Sequence, residues 1–231
     1  MKFLRALALF LFTSLVLASC FDDPDFGVVP QITGIDIQVK PATETQDSLI
    51  VRINFQDGDG NLGFFPDEAG EEFFRIPNPN TGESYWLWDK DDSSLPAYNC
   101  RDYRDAPLTE GDTIRDTIRV EYNEAYYNYS IDLYTKENGQ YEEFNFRTEE
   151  NGCAAPLGGR FFNLQDDLNS GSPLQGTIQW TGVDFYNLYF RNDTLQLRVT
   201  IRDRAGNVSN TVASEDFTLA GKREGTISEE G

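Results

Sequence analysis

The segment Leu195-Gln196-Leu197-Arg198-Val199-Thr200-Ile201-Arg202 alternates apolar and polar residues without a break. Successive side chains of a β-strand point to opposite faces, so this period of two predicts a strand with one buried and one solvated face. Residues 35–40, 49–55, 129–133 and 174–180 alternate in the same way. Strands that are buried on one face only are typical of antiparallel sheets. With no sustained apolar stripe at the helical period, we predict an all-β fold, an antiparallel β-sandwich.

The remaining sequence divides around these strands. We predict a leader over residues 1–19, a tether over 20–30, the sandwich over 31–220 and a loose polar tail over 221–231. Asn138-Gly139 is typical of a two-residue hairpin turn. Residues 64–170 are less regular and contain six prolines and two cysteines. We interpret them as a large irregular insertion in one sandwich, with a second domain as the alternative.

The first twenty residues have the parts of an export signal. Lys2 and Arg5 precede an apolar run over 6–16, which is shorter than the ~20 residues of a membrane-spanning helix. Leu17-Ala18-Ser19-Cys20 then resembles the lipobox of bacterial lipoproteins, in which diacylglycerol is attached to the cysteine and the leader is removed. The resemblance implies lipid on Cys20 and a mature protein that is anchored to a membrane without spanning it. The alternative is a plain signal peptide with Cys20 as an ordinary thiol.

The composition excludes several classes of function. The chain has 39 Asp and Glu against 19 Lys and Arg, a net charge of −20, so we expect neither nucleic acid nor anionic headgroups as partners. Aromatic residues make up 13% of the chain, which is typical of a folded rather than a disordered acidic protein. The absence of histidine excludes Ser-His-Asp and Cys-His catalysis and histidine-ligated zinc.

Besides Cys20, the chain has only Cys100 and Cys153. In an oxidising, exported compartment an even pair of cysteines predicts a disulfide. Closing a loop of just over fifty residues stabilises a fold by about 4 kcal/mol on the chain-entropy model. Two free, buried thiols are the alternative.

Two loops carry acidic and amide side chains directly after predicted strands. Asp57-Gly58-Asp59-Gly60-Asn61-Leu62-Gly63 follows the strand at 49–55 and resembles the opening of an EF-hand calcium loop. Leu62 stands where an EF-hand has glycine, whereas Glu68 fits its twelfth position; no flanking helices are predicted. Asp203-Arg204-Ala205-Gly206-Asn207 follows the strand at 195–201.

If these strands take positions B and F of an immunoglobulin-like sandwich, both loops leave the same end of it. The oxygen-bearing side chains that would then converge are Asp57, Asp59, Asn61, Asp203 and Asn207. Converging carboxylates repel one another unless a cation lies among them, which makes calcium the candidate ion for this place. Ordinary turn chemistry of Asp, Asn and Gly is the alternative for both loops.

The chain resembles a group of Bacteroidota lipoproteins with an immunoglobulin-like domain. Three features carry the resemblance: the lipobox-like tetrapeptide, the loop at 57–63, and the late strand that ends in Asp-Arg-Ala-Gly-Asn-Val-Ser-Asn. The resemblance implies a fold and a location at the outer membrane, facing the cell surface or the periplasm. Asp22, Asp23 and Asp25 resemble the acidic surface-export signal of such proteins, although they could simply solvate the tether. Four Asp-Ser/Thr-apolar triplets resemble their O-glycosylation motif, although such pairs also begin strands for local hydrogen-bonding reasons: Ser48, Thr113, Thr117 and Thr194.

Clustered aromatic residues are the last candidate site. Extended segments place aromatic side chains on both faces, and the outward set could stack on sugar rings or anchor a protein partner. Core filling and an inter-sheet plug are the alternative for these residues: Tyr85, Trp86, Trp88, Tyr126 and Tyr127.

Catalysis has weaker support, because no pair of carboxylates is marked out and no other catalytic motif is present. We therefore expect a non-enzymatic binding or accessory subunit of an outer-membrane assembly. A glycan-binding module is the alternative, and a carboxylate-based glycoside hydrolase is the less favoured one.

The lipid assignment makes a direct prediction. Cys20→Ser should abolish incorporation of a labelled fatty acid and move the protein from the detergent to the aqueous phase in a partition experiment, because no acyl chain remains to bury. Cys100→Ser is the matched control and should keep the label. Retention of the label by Cys20→Ser would contradict lipidation at this residue.

Overall fold

The computed structural model describes residues 24–41, 47–65, 68, 70–76, 97–107, 115–148, 150–151, 153–164, 171–183, 190 and 192–222. Every regular element in these ranges is a β-strand. The ten strands are Gln31–Pro41 (β1), Asp47–Asp57 (β2), Phe73–Arg75 (β3), Tyr103–Pro107 (β4), Arg115–Tyr122 (β5), Tyr129–Glu137 (β6), Gln140–Glu143 (β7), Leu174–Val183 (β8), Leu195–Ile201 (β9) and Val212–Ala213 (β10). A search of the described residues for a helix long and apolar enough to cross a membrane finds none.

The strands form three antiparallel sheets. The first sheet has the order β1-β2-β8, the second sheet β10-β9-β6-β7, and the small sheet β3-β5-β4. Side chains from the first and second sheets share one buried apolar cluster, so these two sheets form a sandwich. The predicted all-β antiparallel fold is thereby confirmed. The finer immunoglobulin-like assignment stays a prediction.

The alternation seen in the sequence produces the core. In β9 the apolar residues Leu195, Leu197, Val199 and Ile201 are at most 1% exposed, while the residues between them are half-buried. The alternating apolar residues of β2, Leu49, Val51, Ile53 and Phe55, belong to the same buried cluster in the other sheet and are at most 3% exposed. Burying one such side chain fully contributes about 1.5–3 kcal/mol, so these two rows supply much of the driving force for folding.

The hairpin β6–β7 belongs to the sandwich. Its turn, Asn138-Gly139, has positive φ at both residues (51° and 82°), as a two-residue hairpin requires, and confirms the predicted turn. β6 pairs with β9 over Tyr129–Thr135. The irregular insertion is therefore smaller than the predicted range 64–170, because residues 129–143 complete the second sheet. Only Ile131 and Leu133 mark β6 as a core strand, too short a pattern to set that boundary.

The small sheet occupies part of the predicted insertion and has buried residues of its own, Tyr103, Ile118 and Val120. The disulfide between Cys100 and Cys153 joins the turn before β4 to the loop after β7, with a Cα–Cα distance of 5.4 Å. It confirms the predicted pairing, so the two thiols are not free. The disulfide therefore ties the small sheet to the segment that follows β7.

Both ends of the described chain are attached to the sandwich. At one end, the Gly58 amide donates a hydrogen bond of 2.9 Å to the Gly27 carbonyl, so the second half of the predicted tether is docked on the loop after β2. A Cβ at Gly58 would collide with the carbonyl oxygens of Phe26 and Gly27, so this close approach requires glycine. At the other end, the Val39 amide donates to the Lys222 carbonyl. Most of the predicted tail, 223–231, lies outside the described residues, as do the leader and Cys20.

The register of β9 can be tested by a matched pair of substitutions. Leu197→Ala should lower the free energy of unfolding by about 3 kcal/mol, because it leaves a cavity between the sheets. Gln196→Ala, on the outward face, should change it by less than about 0.5 kcal/mol. Denaturant unfolding measures both, and equal losses from the two variants would contradict the register.

Candidate functional site

Two aspartates extend the apolar rows of the core. The last apolar inward residue of β2 is Phe55, and that of β9 is Ile201. Two residues further on, the same alternation reaches Asp57 at the end of β2 and Asp203 after β9. Both side chains are buried, with 0% and 1% exposed. Each sheet therefore ends its core face with a carboxylate. The sequence contained this signal, because extending each alternating pattern by two residues places Asp57 and Asp203 on the inward face.

These loops meet at one end of the sandwich. We name them the Asp57 loop (57–63) and the Asp203 loop (203–207). One carboxylate oxygen from each of Asp57, Asp59 and Asp203 lies within 4.8 Å of the others. Leu62 and Asp203 form an antiparallel bridge, and the Arg204 Nε donates to the Asn61 carbonyl at 3.1 Å. The structure thus brings the two predicted loops together.

Hydrogen bonds divide the oxygens of this cluster into two groups. Asp203 is held by Asn207, whose backbone and side-chain amides donate to its two carboxylate oxygens at 2.8 and 2.7 Å. Asp59 accepts from the Asn61 side-chain amide at 2.9 Å. In contrast, both carboxylate oxygens of Asp57 and the Oδ1 of Asn61 are buried without a hydrogen-bond partner. Asn207 therefore positions Asp203, whereas Asn61 offers an oxygen of its own.

The electrostatics of Asp57 follow from this arrangement. Burial, and then repulsion from Asp59 and Asp203, raise the pKa of the Asp57 carboxyl from 3.8 to about 6, while the nearby Leu62 amide works in the opposite direction. An ionised carboxylate that is buried without a partner is costly. Three carboxylates with a spare amide oxygen match the ligands preferred by hard cations such as calcium, rather than the nitrogen and sulfur ligands common at zinc sites.

Glu68 lies outside this cluster, although it occupies the position of the last EF-hand ligand. Its Oε2 accepts a hydrogen bond of 2.7 Å from the Phe65 amide, and its Oε1 lies 3.9 Å from the Arg204 guanidinium. A strand, not a helix, precedes the Asp57 loop. An isolated β-bridge is formed by Leu62 inside the loop, and a second by Phe64 directly after it. The geometry is that of two sandwich loops and not of an EF-hand.

An open groove of about 610 Å³ lies beside the second sheet. Outward-facing residues of β6 and β9, such as Ser130 and Thr200, form its floor; their hydroxyl oxygens are 3.1 Å apart. Its walls come from the end of β5, from the segment after β7, and from residues near the two cysteines of the disulfide, Arg101 and Pro156. The other lining residues used below are Tyr122, Glu124, Tyr127, Tyr129, Asp132, Glu143, Arg147 and Arg202.

The groove combines tyrosines with charges of both signs. The Tyr127 hydroxyl donates to the Glu72 carboxylate at 2.9 Å, and burial together with this bond raises the pKa of Tyr127. The Arg147 guanidinium lies 4.2 Å above the Tyr122 ring. Burial, with repulsion from Glu143, also raises the pKa of Asp132. Tyr122, Tyr127 and Arg147 are therefore held by contacts with their neighbours, so this part of the groove is pre-formed.

The remaining predicted site residues are spread over the molecule. Tyr126 and Tyr127 are half-buried, with ring centroids 5.2 Å apart, and only Tyr127 lines the groove. Ser48, Thr117 and Thr194 are half-buried in or beside strands. The other predicted residues lie outside the described part of the chain: Cys20, Tyr85, Trp86, Trp88 and Thr113.

The raised pKa of Asp57 predicts a pH dependence for the protein in EDTA. A carboxyl whose pKa is higher in the folded state than in the unfolded state stabilises the fold when protonated, so its contribution is lost as the pH rises from about 4 through about 6. Asp57→Asn should remove this part of the dependence of the free energy of unfolding on pH. Asp36→Asn, at a surface ion pair with Arg52, should keep it. An unchanged pH profile for Asp57→Asn would contradict this prediction.

Comparison with known proteins adds no assignment: no family model, no curated protein and no solved structure matches the chain. The resemblance to Bacteroidota lipoproteins accordingly stays a prediction from the sequence. What the chain does must be inferred from its own geometry, that is, from the cluster around Asp57 and from the groove.

Proposed function

We propose that the chain is a lipid-anchored outer-membrane protein, facing the cell surface, that acts as a non-catalytic binding or accessory subunit of a larger assembly. The observation that carries this proposal is the groove beside the second sheet. The lipobox at Cys20 supports the anchored location. A partner would bind in the groove through its floor on β6 and β9 and its three walls.

The charge distribution supports binding at this place. The chain carries a net charge of −20, yet the groove is lined by three arginines, Arg101, Arg147 and Arg202, and three carboxylates, Glu124, Asp132 and Glu143. A balanced surface on an acidic protein avoids the long-range repulsion that the rest of the molecule imposes on other acidic proteins. Arginine and tyrosine are also the residues that contribute most often to binding energy at protein interfaces.

The construction of the walls supports a binding rather than a catalytic role. The disulfide fixes the arms that carry Arg101 and Pro156, and Arg147 is held by its contact with Tyr122 and by Glu72 at 3.8 Å. Pre-formed walls lower the cost of ordering side chains when a partner binds.

Burial and repulsion from Glu143 set Asp132 apart from the other carboxyls of the groove. A carboxylate-based glycoside hydrolase is still less favoured, because no catalytic motif in the sequence accompanies this pair.

A glycan ligand is the second candidate. Tyr122, Tyr127 and Tyr129 all line the groove, and tyrosine combines an aromatic face with a hydroxyl. Such faces stack on the apolar side of sugar rings, while the neighbouring charged groups bond the hydroxyls. The same groove therefore serves both candidates, and the partner recovered from it distinguishes them.

The groove can be tested by blocking its floor. Thr200→Trp places a large side chain between β6 and β9, and we expect it to reduce recovery of a membrane-protein partner at least tenfold, about 1.4 kcal/mol. The measurement is quantitative pulldown of the lipidated protein from its own detergent-solubilised membrane. Thr181→Trp, on the exposed outer face of β8, is the matched control and should leave recovery unchanged.

The outcomes separate the candidates. A stoichiometric protein partner that Thr200→Trp loses supports the subunit. Binding to a glycan array that Thr200→Trp loses, without a protein partner, supports the glycan-binding module. Turnover of a glycoside substrate by the purified protein would contradict both candidates. Recovery of the same partners by Thr200→Trp and by the unmodified protein would also contradict both, because binding would then not use the groove.

A further inference from the structure

We propose that Asp57, Asp59, Asp203 and the Asn61 side-chain oxygen form a calcium site, and that calcium in it holds the loop on which the membrane tether is docked. The site lies at the end of the sandwich and is separate from the binding role proposed for the groove. It rests on the position of buried oxygens and on one contact of the tether.

The buried oxygens point to a ligand. Asp57 is 0% exposed, and neither of its carboxylate oxygens has a hydrogen-bond partner, although Asp59 and Asp203 each place an oxygen within 4.8 Å. Buried polar atoms are rarely left unpaired in proteins. The Asn61 Oδ1 is buried and unpaired in the same loop, while the amide nitrogen of that side chain donates to Asp59. A cation held between Asp57, Asp59 and Asp203 would satisfy the Asp57 carboxylate, and the Asn61 Oδ1 of the same loop is a further candidate ligand.

Protonation of Asp57 would leave more of these buried oxygens without a partner than a bound cation would. One proton gives the carboxyl a single donor, which leaves its second oxygen and the Asn61 Oδ1 without a partner. It would also leave Asp59 and Asp203 as two negative charges beside it. Loop formation by itself explains the bonds of Asn207 to Asp203, but it does not explain why both sheets end their buried rows with an aspartate.

The donor set and its arrangement favour calcium. Calcium takes six to eight oxygen ligands in variable geometry, and carboxylates, amide oxygens, backbone carbonyls and waters all serve. Magnesium requires a near-ideal octahedron with shorter bonds. The ligands come from two loops that follow strands of different sheets, an arrangement that does not require the near-ideal octahedron of magnesium.

Occupancy of this site has a structural consequence. Asp57 ends β2 in the first sheet and Asp203 follows β9 in the second, so a shared cation joins the two sheets at this end. Gly58, the next residue after Asp57, donates its amide to Gly27 of the tether and has no room for a side chain. The bond that docks the tether is therefore adjacent to the ligand whose charge is least compensated, and loss of calcium should free the tether.

Binding is tested with calcium alone, on the full mature chain in detergent. Calcium should raise the melting temperature saturably, and EDTA should reverse the rise, because the ion binds only the folded state. Magnesium should require a concentration at least tenfold higher. Asp57→Asn should abolish the calcium response and, in EDTA, melt no lower than the unmodified protein, because it removes a buried and repelled charge. Asp36→Asn is the control and should keep the response.

Tether docking is tested by the rate of chymotrypsin cleavage after Phe26. Calcium should slow this cleavage by roughly tenfold relative to EDTA, under conditions in which circular dichroism shows the sandwich still folded, because cleavage follows the population of the undocked tether. Gly58→Ala should be cleaved at the fast rate even with calcium, and its circular dichroism spectrum reports whether it folds.

Two results would overturn the proposal. A melting temperature that calcium does not change at concentrations up to about 10 mM, or that it raises equally in Asp57→Asn, excludes the site. Equal cleavage after Phe26 in calcium and in EDTA excludes the coupling to the tether. Neither result depends on the groove, so the pulldown with Thr200→Trp is an independent test of the proposed function.

Discussion

Facing rows of apolar side chains from β2 and β9 are the constraint on which the rest of this structure depends. Their burial fixes the register of both sheets, since a slip of one residue would turn every one of these side chains toward solvent. The same register decides which residues come next on the inside. At the end of the core these are Asp57 and Asp203, so the packing of the sandwich itself brings two buried carboxylates together.

Stability and function are in tension at that end. The apolar rows stabilise the sandwich, while the carboxylates at their end repel one another and have lost their water. Proteins often concentrate such unfavourable groups where a ligand later compensates them. Away from this end, the disulfide between Cys100 and Cys153 ties the small sheet to the segment after β7, and the groove lies between these parts. The two proposed sites thus lie at separate places on one scaffold.

Much of the sandwich could be predicted from the sequence, because period-two alternation is a direct consequence of strand geometry. This alternation predicts the strands at 49–55 and 195–201. The turn at Asn138-Gly139 follows instead from the conformational preferences of its two residues, and the cysteine pair from the oxidising compartment. The convergence of the Asp57 and Asp203 loops followed from a topological assumption. The groove could not be predicted, because its lining residues come from segments far apart in sequence whose contacts depend on the small sheet. The place of β6 in the second sheet could not be predicted either, because only Ile131 and Leu133 mark it as a core strand.

The central claim is that a cation joins the two sheets where their core ends. Amide hydrogen exchange of the folded, full mature chain, with calcium and with EDTA, tests it most directly. The predicted result is slower exchange with calcium that is confined to the amides of 203–207 and of 57–63, among them Gly58, whose amide bonds the tether. Exchange in these loops that is the same with and without calcium would contradict the claim, and so would a change spread evenly over all strands.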